Sequence, residues 1–187
     1  MDIRLPPEAE PANHLRKATC ILECFLRAEW DINEPIDILI PPALCYAVTV
    51  TDMTSWFQEH GANPNRRCEV DCTPLSFAVR NASLSIIELM LDYGGDVKGQ
   101  LLQCAVYRKE GLEDVITLLV ERGASLNAPM YQDGPTLMRF FPMSLGTALH
   151  VATEQRKTNA VRLLINLGAD TEVKDANGDS ALEWAQK

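Results

Sequence analysis

The chain has 187 residues, 47% of them hydrophobic, and 26 acidic against 17 basic side chains give it a formal charge of −9. That composition is ample for a buried core, while so acidic a surface repels phosphate backbones and argues against a general nucleic-acid binder. The longest apolar runs are too short to span a bilayer, so no membrane role is expected.

The N-terminal stretch MDIRLPPEAEPANHLRK carries no apolar segment of the secretory-signal type. A cytoplasmic or nuclear location is the expectation. The six cysteines, at 20, 24, 45, 68, 72 and 104, then read mostly as reduced, small core hydrophobes. Cys20 and Cys24 are spaced to share one face of a helix, and Cys68 and Cys72 bracket a short polar stretch. Neither pair has the C-x2-C spacing or the histidine partners of a zinc site, and no metal is expected.

Further along, CILECFLRAEWDINEP (20–35) predicts a helix followed by a turn. PALCYA (42–47), CTPLSFA (72–78), QLLQCA (100–105), GTALHVA (146–152) and DSALEWA (179–185) then share one pattern, a leucine three residues before an alanine. The pairs are Leu44/Ala47, Leu75/Ala78, Leu102/Ala105, Leu149/Ala152 and Leu182/Ala185. Thr73 suits the cap of its helix and Pro74 the first turn. SIIELML (85–91), DVITLLV (114–120) and NAVRLLI (159–165) are apolar over most of their circumference, so each predicts a helix stacked between neighbours. A glycine closes four of the units, at Gly61, Gly94, Gly123 and Gly168, and supplies a left-handed cap. Glu29 stands in that slot in the first unit.

The glycines are 33, 29 and 45 residues apart and the leucines 31, 27, 47 and 33, so the common unit is about 33 residues. On these motifs, and most specifically on TPLSFAV, GTALHVAT, LLVERGASLNA and LLINLGADTEVKDANGDSALEWA, the sequence resembles the ankyrin-repeat family. The resemblance implies an all-α solenoid of stacked helix–turn–helix units with hairpin-like fingers and a concave face. It implies about four repeats plus partial terminal ones. The expected organisation is an N-terminal extension over 1–13 and a repeat domain over 14–187. Its units fall at 14–41 (degenerate), 42–71, 72–99, 100–145, 146–178 and 179–187 (partial). ALEWAQK stops inside the first helix of a further unit, which reads as a chain that continues or, less well, as a half-repeat cap.

Three histidines bear on catalysis. The resemblance gives His150, with Thr147, a structural part: hydrogen bonds to the backbone and hydroxyl groups around the finger. Cys45, Ser76, Gln103 and Glu183 hold the corresponding position in the other units. His14 and His60 read as surface residues. No G-x-S-x-G, H-E-x-x-H or phosphate-binding glycine loop is present, and no cofactor is expected.

The repeats are uneven. The finger between Gly94 and Leu102 is nearly deleted, and APMYQDGPTLMRFFPMSL (128–145) is inserted before Leu149. So apolar a stretch either packs back on the solenoid or offers a contact patch.

Family members bind through finger tips and the ends of first helices. That register points to Thr49 and Val50, Arg80 and Asn81, Tyr107 and Arg108, and Glu154 and Gln155. The expected function is a protein-interaction module or scaffold, binding a protein or peptide through the concave face and fingers. Arg80, Tyr107, Arg108, Tyr131, Arg139, Phe140, Phe141 and Glu154 are its candidate contacts, aromatics and arginines being the common hot-spot types. Arg66 and Arg67 are further basic residues near the fingers. The competing expectation is a small-molecule binder or atypical enzyme. Its pocket would lie between the 128–145 loop and the concave face, with Phe140 and Phe141 as walls and Tyr107, Arg108, Tyr131 and Arg139 as polar groups. A self-association through the unfinished C-terminal repeat is the third.

Overall fold

Ten helices occupy residues 9–130 and 145–186, the part of the chain that the computed structural model describes. They are α1 (Ala9–Arg27), α2 (Leu44–Ala47), α3 (Thr51–Glu59), α4 (Pro74–Asn81), α5 (Leu84–Asp92), α6 (Leu101–Val106) and α7 (Leu112–Glu121). After the insertion come α8 (Ala148–Glu154), α9 (Thr158–Asn166) and α10 (Ala181–Gln186).

The helices alternate between two rows. The first helices of the units pack in sequence, α2 on α4, α4 on α6, α6 on α8 and α8 on α10. Each of α2, α4, α6 and α8 also packs on the second helix of its own unit, α3, α5, α7 and α9. The second-helix row is tight from α1 through α3 to α5 and again from α7 to α9. This is the all-α solenoid expected from the repeat pattern. The motif leucines and alanines explain it: Leu44, Leu75, Leu102 and Leu149 are buried, and Ala78, Ala105 and Ala152 are fully so. A methyl group there lets neighbouring first helices approach closely, while Ile87, Ile116 and Leu164 fill the space behind them.

Every glycine cap takes the left-handed backbone its slot demands, with φ of 85° at Gly61, 91° at Gly94, 94° at Gly123 and 99° at Gly168. Glu29 adopts the same conformation, at φ 63°. The degenerate first unit therefore keeps its turn, at a cost of about 1 kcal/mol for the Cβ that glycine lacks. Four residues after Glu29, Gly61 and Gly123 an asparagine ties the turn to the next one. Asn33 donates to Gly61 O and accepts from Asn63 N–H, and Asn65 does the same with Gly94 O and Asp96 N–H. Asn127 accepts from Asp170 N–H.

Two expectations change in detail. Helix α1 begins at Ala9, inside the stretch read as an extension; Pro11 falls in its first turn, where the missing N–H costs no helical bond. The fingers are tight turns closed by single bridges, Asp37 with Ile40 and Lys174 with Ser180, and the described residues contain no longer strand ladder. After Ile40, Pro41 and Pro42 lack the N–H donors that would extend one.

Candidate functional site

The motif histidine is a structural part of the fold. His150 is 1% exposed. Its Nδ1 accepts from Thr147 N–H at 3.2 Å and lies 3.0 Å from Thr147 Oγ1, which fixes the proton on Nε2. Nε2–H donates to Asp179 O at 3.1 Å, tying α8 to the next finger. The ring also meets the edge of Trp184, 5.5 Å between centroids. Gly146 makes room for it, since a Cβ there would stand 2.4 Å from His150 Cγ. Both ring nitrogens are committed, so none is left for acid–base work on a substrate.

His14 and His60 are exposed, as expected, and His60 stacks on Trp56 with centroids 4.0 Å apart. All six cysteines are free. Burial pushes the Cys104 thiol up to about 12 and those of Cys45 and Cys72 to about 11, with Cys72 adding to the shift at Cys104 and Cys68 adding to those at Cys45 and Cys72. Such thiols stay protonated at neutral pH and are poor nucleophiles. Among the described residues no cluster of three or more His, Cys, Asp or Glu could hold a metal.

The positions named for contact separate into two groups. Arg80, Tyr107 and Glu154 stand at the ends of α4, α6 and α8, on the face that the first helices present. Arg80 lies over the Tyr107 ring, its Cζ 5.0 Å from the centroid. Burial raises the Tyr107 hydroxyl above its ordinary pKa; the charge of Glu154 adds to that shift and that of Arg80 opposes it. The two charges thus act on the tyrosine hydroxyl in opposite senses.

Arg108 belongs to the interior. It is 9% exposed, and its guanidinium donates to Val79 O at 2.6 Å, Ala82 O at 2.7 Å and Glu110 O at 3.0 Å. The Val79 and Ala82 carbonyls end α4, so the residue one step beyond Tyr107 clamps the preceding unit instead of facing solvent. Lys157 repeats the device one unit on, donating to Val106 O at 2.7 Å and Arg108 O at 2.5 Å. Arg66 and Arg67 are also engaged near the fingers, the first with Asn33 O and the second with Asp71.

Tyr131, Arg139, Phe140 and Phe141 lie outside the described residues. The chain departs and returns through a closed neck: Met130 N–H donates to Gly146 O at 3.2 Å, and the buried Gln103 amide donates to Ala128 O at 2.8 Å.

Sequence reasoning missed a second row on the same face. Two residues past each motif leucine stand Tyr46, Phe77, Cys104, Val151 and Trp184. Tyr46 is 65% exposed, Phe77, Cys104 and Trp184 are half-buried, and only Val151 is covered. The signal was a variable position inside the motif, filled three times in five by an aromatic. The N-terminal end of this face is apolar as well, with Ile38, Leu39 and Val50 each close to half exposed. At its C-terminal end a cleft of about 630 Å³ opens between α8, the last finger and α10, lined by Thr153, Glu154, Arg156, Asn177, Asp179 and Trp184.

The family model of the ankyrin repeat matches residues 146–176, the span of α8, α9 and most of the finger that follows. No curated protein matches the chain. Residues 146–176 are an ankyrin repeat, and the helix pairs before it stack in the same two rows with the same left-handed turns.

Proposed function

We propose that this ankyrin-repeat chain seats a protein or peptide segment along the face formed by its first helices and fingers. Ankyrin repeats serve in general as protein-interaction modules, and one observation carries the specific reading. Aromatic and charged side chains left exposed or half-buried at the same two motif positions (Tyr46, Arg80, Tyr107, Glu154 and Trp184) recur on or beside the first helices of successive units. Tyrosine and tryptophan bury much surface for little lost freedom, and together with arginine they dominate binding hot spots. Within the described residues no helix is long and apolar enough to cross a membrane.

The test is selection of binders from a displayed library of random 12-residue peptides on the full chain, followed by affinity measurement on variants. Tyr46→Ala and Arg80→Glu should each weaken the selected peptides about tenfold, as loss of about 1.4 kcal/mol implies. Glu88→Lys and Tyr93→Ala, on and beside the second helix α5, should leave affinity unchanged. The opposite ranking would move the binding surface to the second-helix row.

A further inference from the structure

We infer that copies of this chain stack head to tail, the outward face of α1 in one copy seating in the apolar cleft between α9 and α10 of the next. The contact goes beyond the peptide reading of the first-helix face and does not depend on it.

Helix α1 belongs to the second-helix row, where it packs on α3. Leu22 and Leu26 turn to the core. Cys20, Ile21, Cys24 and Phe25 fall at i, i+1, i+4 and i+5 and form a second apolar stripe on another side of the helix. All four are exposed, Ile21 by 58% and Phe25 by 55%. A helix apolar on two sides is built to lie between neighbours, and only one side of α1 is covered.

The opposite end of the rows offers the matching surface. The motif leucine is at most 3% exposed in α2, α4, α6 and α8, and each of those helices has the second helix of its unit packed beside it. In α10 the same leucine, Leu182, is 63% exposed. Beside it lies a cleft of about 390 Å³, lined among others by Val161, Ile165, Ala181, Leu182 and Ala185. Arg156 is the one charged group among the described residues that line it, and Ile165 on α9 is 45% exposed. A second-row helix laid there would stand to α10 as α9 stands to α8, and to α9 as α9 stands to α7.

The chain itself carries a second-row helix with an open apolar stripe, which is α1. The packing of α1 on α3, α3 on α5 and α7 on α9 within one copy would then repeat between copies. Because two different surfaces meet, every copy in a stack keeps one free face, and growth does not stop at two. Helix α1 has 19 residues and is ~28 Å long. One such helix in one cleft belongs to the small interfaces, below about 1,200 Å², which hold transient complexes.

Sedimentation of the 187-residue chain tests this, with reductant present because Cys20 and Cys24 are exposed thiols. At about 1 μM it should run at the monomer mass of 20.8 kDa, and by about 300 μM the average mass should exceed twice that, as a Kd of about 50 μM implies. Phe25→Glu and Leu182→Glu should each hold it at the monomer mass while melting at the wild-type temperature, since both side chains are exposed. Ile21→Lys and Ile165→Lys, on the same two surfaces, should behave alike. Mixed in equal amounts, the Phe25 and Leu182 variants should give a dimer and nothing larger, because one keeps the cleft and the other keeps the stripe. A chain that stays monomeric throughout, a dimer that either variant leaves intact, or a mixture that stays monomeric would overturn the inference.

Discussion

The units at 72–99 and 146–178 open on the same device and use it differently. In the first, Thr73 and Ser76 close a local box: Ser76 N–H donates to Thr73 Oγ1 and Thr73 N–H to Ser76 Oγ, at 3.1 and 3.0 Å. The serine hydroxyl turns back to Thr73 O and reaches no further. In the second, His150 meets Thr147 in the same way, and its far nitrogen crosses to Asp179 in the next finger. Serine caps one helix, whereas histidine caps one helix and couples two repeats.

Unit 72–99 obtains its coupling from the other side, where Arg108 reaches back from the following unit to the carbonyls ending α4. In a one-dimensional array each repeat is stable only through its neighbours, so the tie has to come from somewhere. Its position in the sequence is free to vary.

Four tests bear on that difference. The largest effect belongs to the backward tie. Arg108→Met fills a similar volume but strips the donors from Val79 O and Ala82 O, and should cost about 3 kcal/mol. Thermal unfolding should fall by roughly 10 °C for a domain of this size. An unchanged melting temperature would mean that the clamp is incidental.

Gly146→Ala comes next. The new Cβ collides with the imidazole, so the expected loss is about 2 kcal/mol. In a His150→Ser background, where the ring is gone, the same change should cost less than about 0.5 kcal/mol. Equal costs in both backgrounds would remove the collision as the cause.

The two boxes can then be compared directly by urea unfolding. His150→Ala should cost about 2 kcal/mol, because both the cap and the inter-repeat bond are lost, and Ser76→Ala only about 1 kcal/mol. Identical losses would show that the bond to Asp179 O adds nothing. The smallest effect has the opposite sign: Glu29→Gly relieves the left-handed strain in the first turn and should stabilise the chain by up to about 1 kcal/mol, read in the same titration. Destabilisation would show that the Glu29 side chain does more than occupy the slot.

Much of the fold was legible because fixed spacing and fixed chemistry coincide. The left-handed slot after each second helix needs glycine, and the first-helix contact needs leucine and alanine three apart. Even the exception at Glu29 could be located from its neighbours. The site was less legible. Arg80 and Arg108 are the same residue type near the same helix end, and nothing local tells which faces solvent. That depends on whether the carbonyls of Val79 and Ala82, more than twenty residues away in sequence, lie within reach of the guanidinium. Tyr46, Phe77 and Trp184 were overlooked for the converse reason: their motif position varies, and a pattern search attends to what repeats.

The binding face is tested most directly by amide chemical-shift mapping of the ¹⁵N-labelled chain with a peptide selected on it. The shifts should run along Tyr46, Arg80, Tyr107, Glu154 and Trp184 and leave Leu84, Glu88 and Tyr93 unmoved. Shifts concentrated on those three residues of the second-helix side, with the first-helix row silent, would contradict the account.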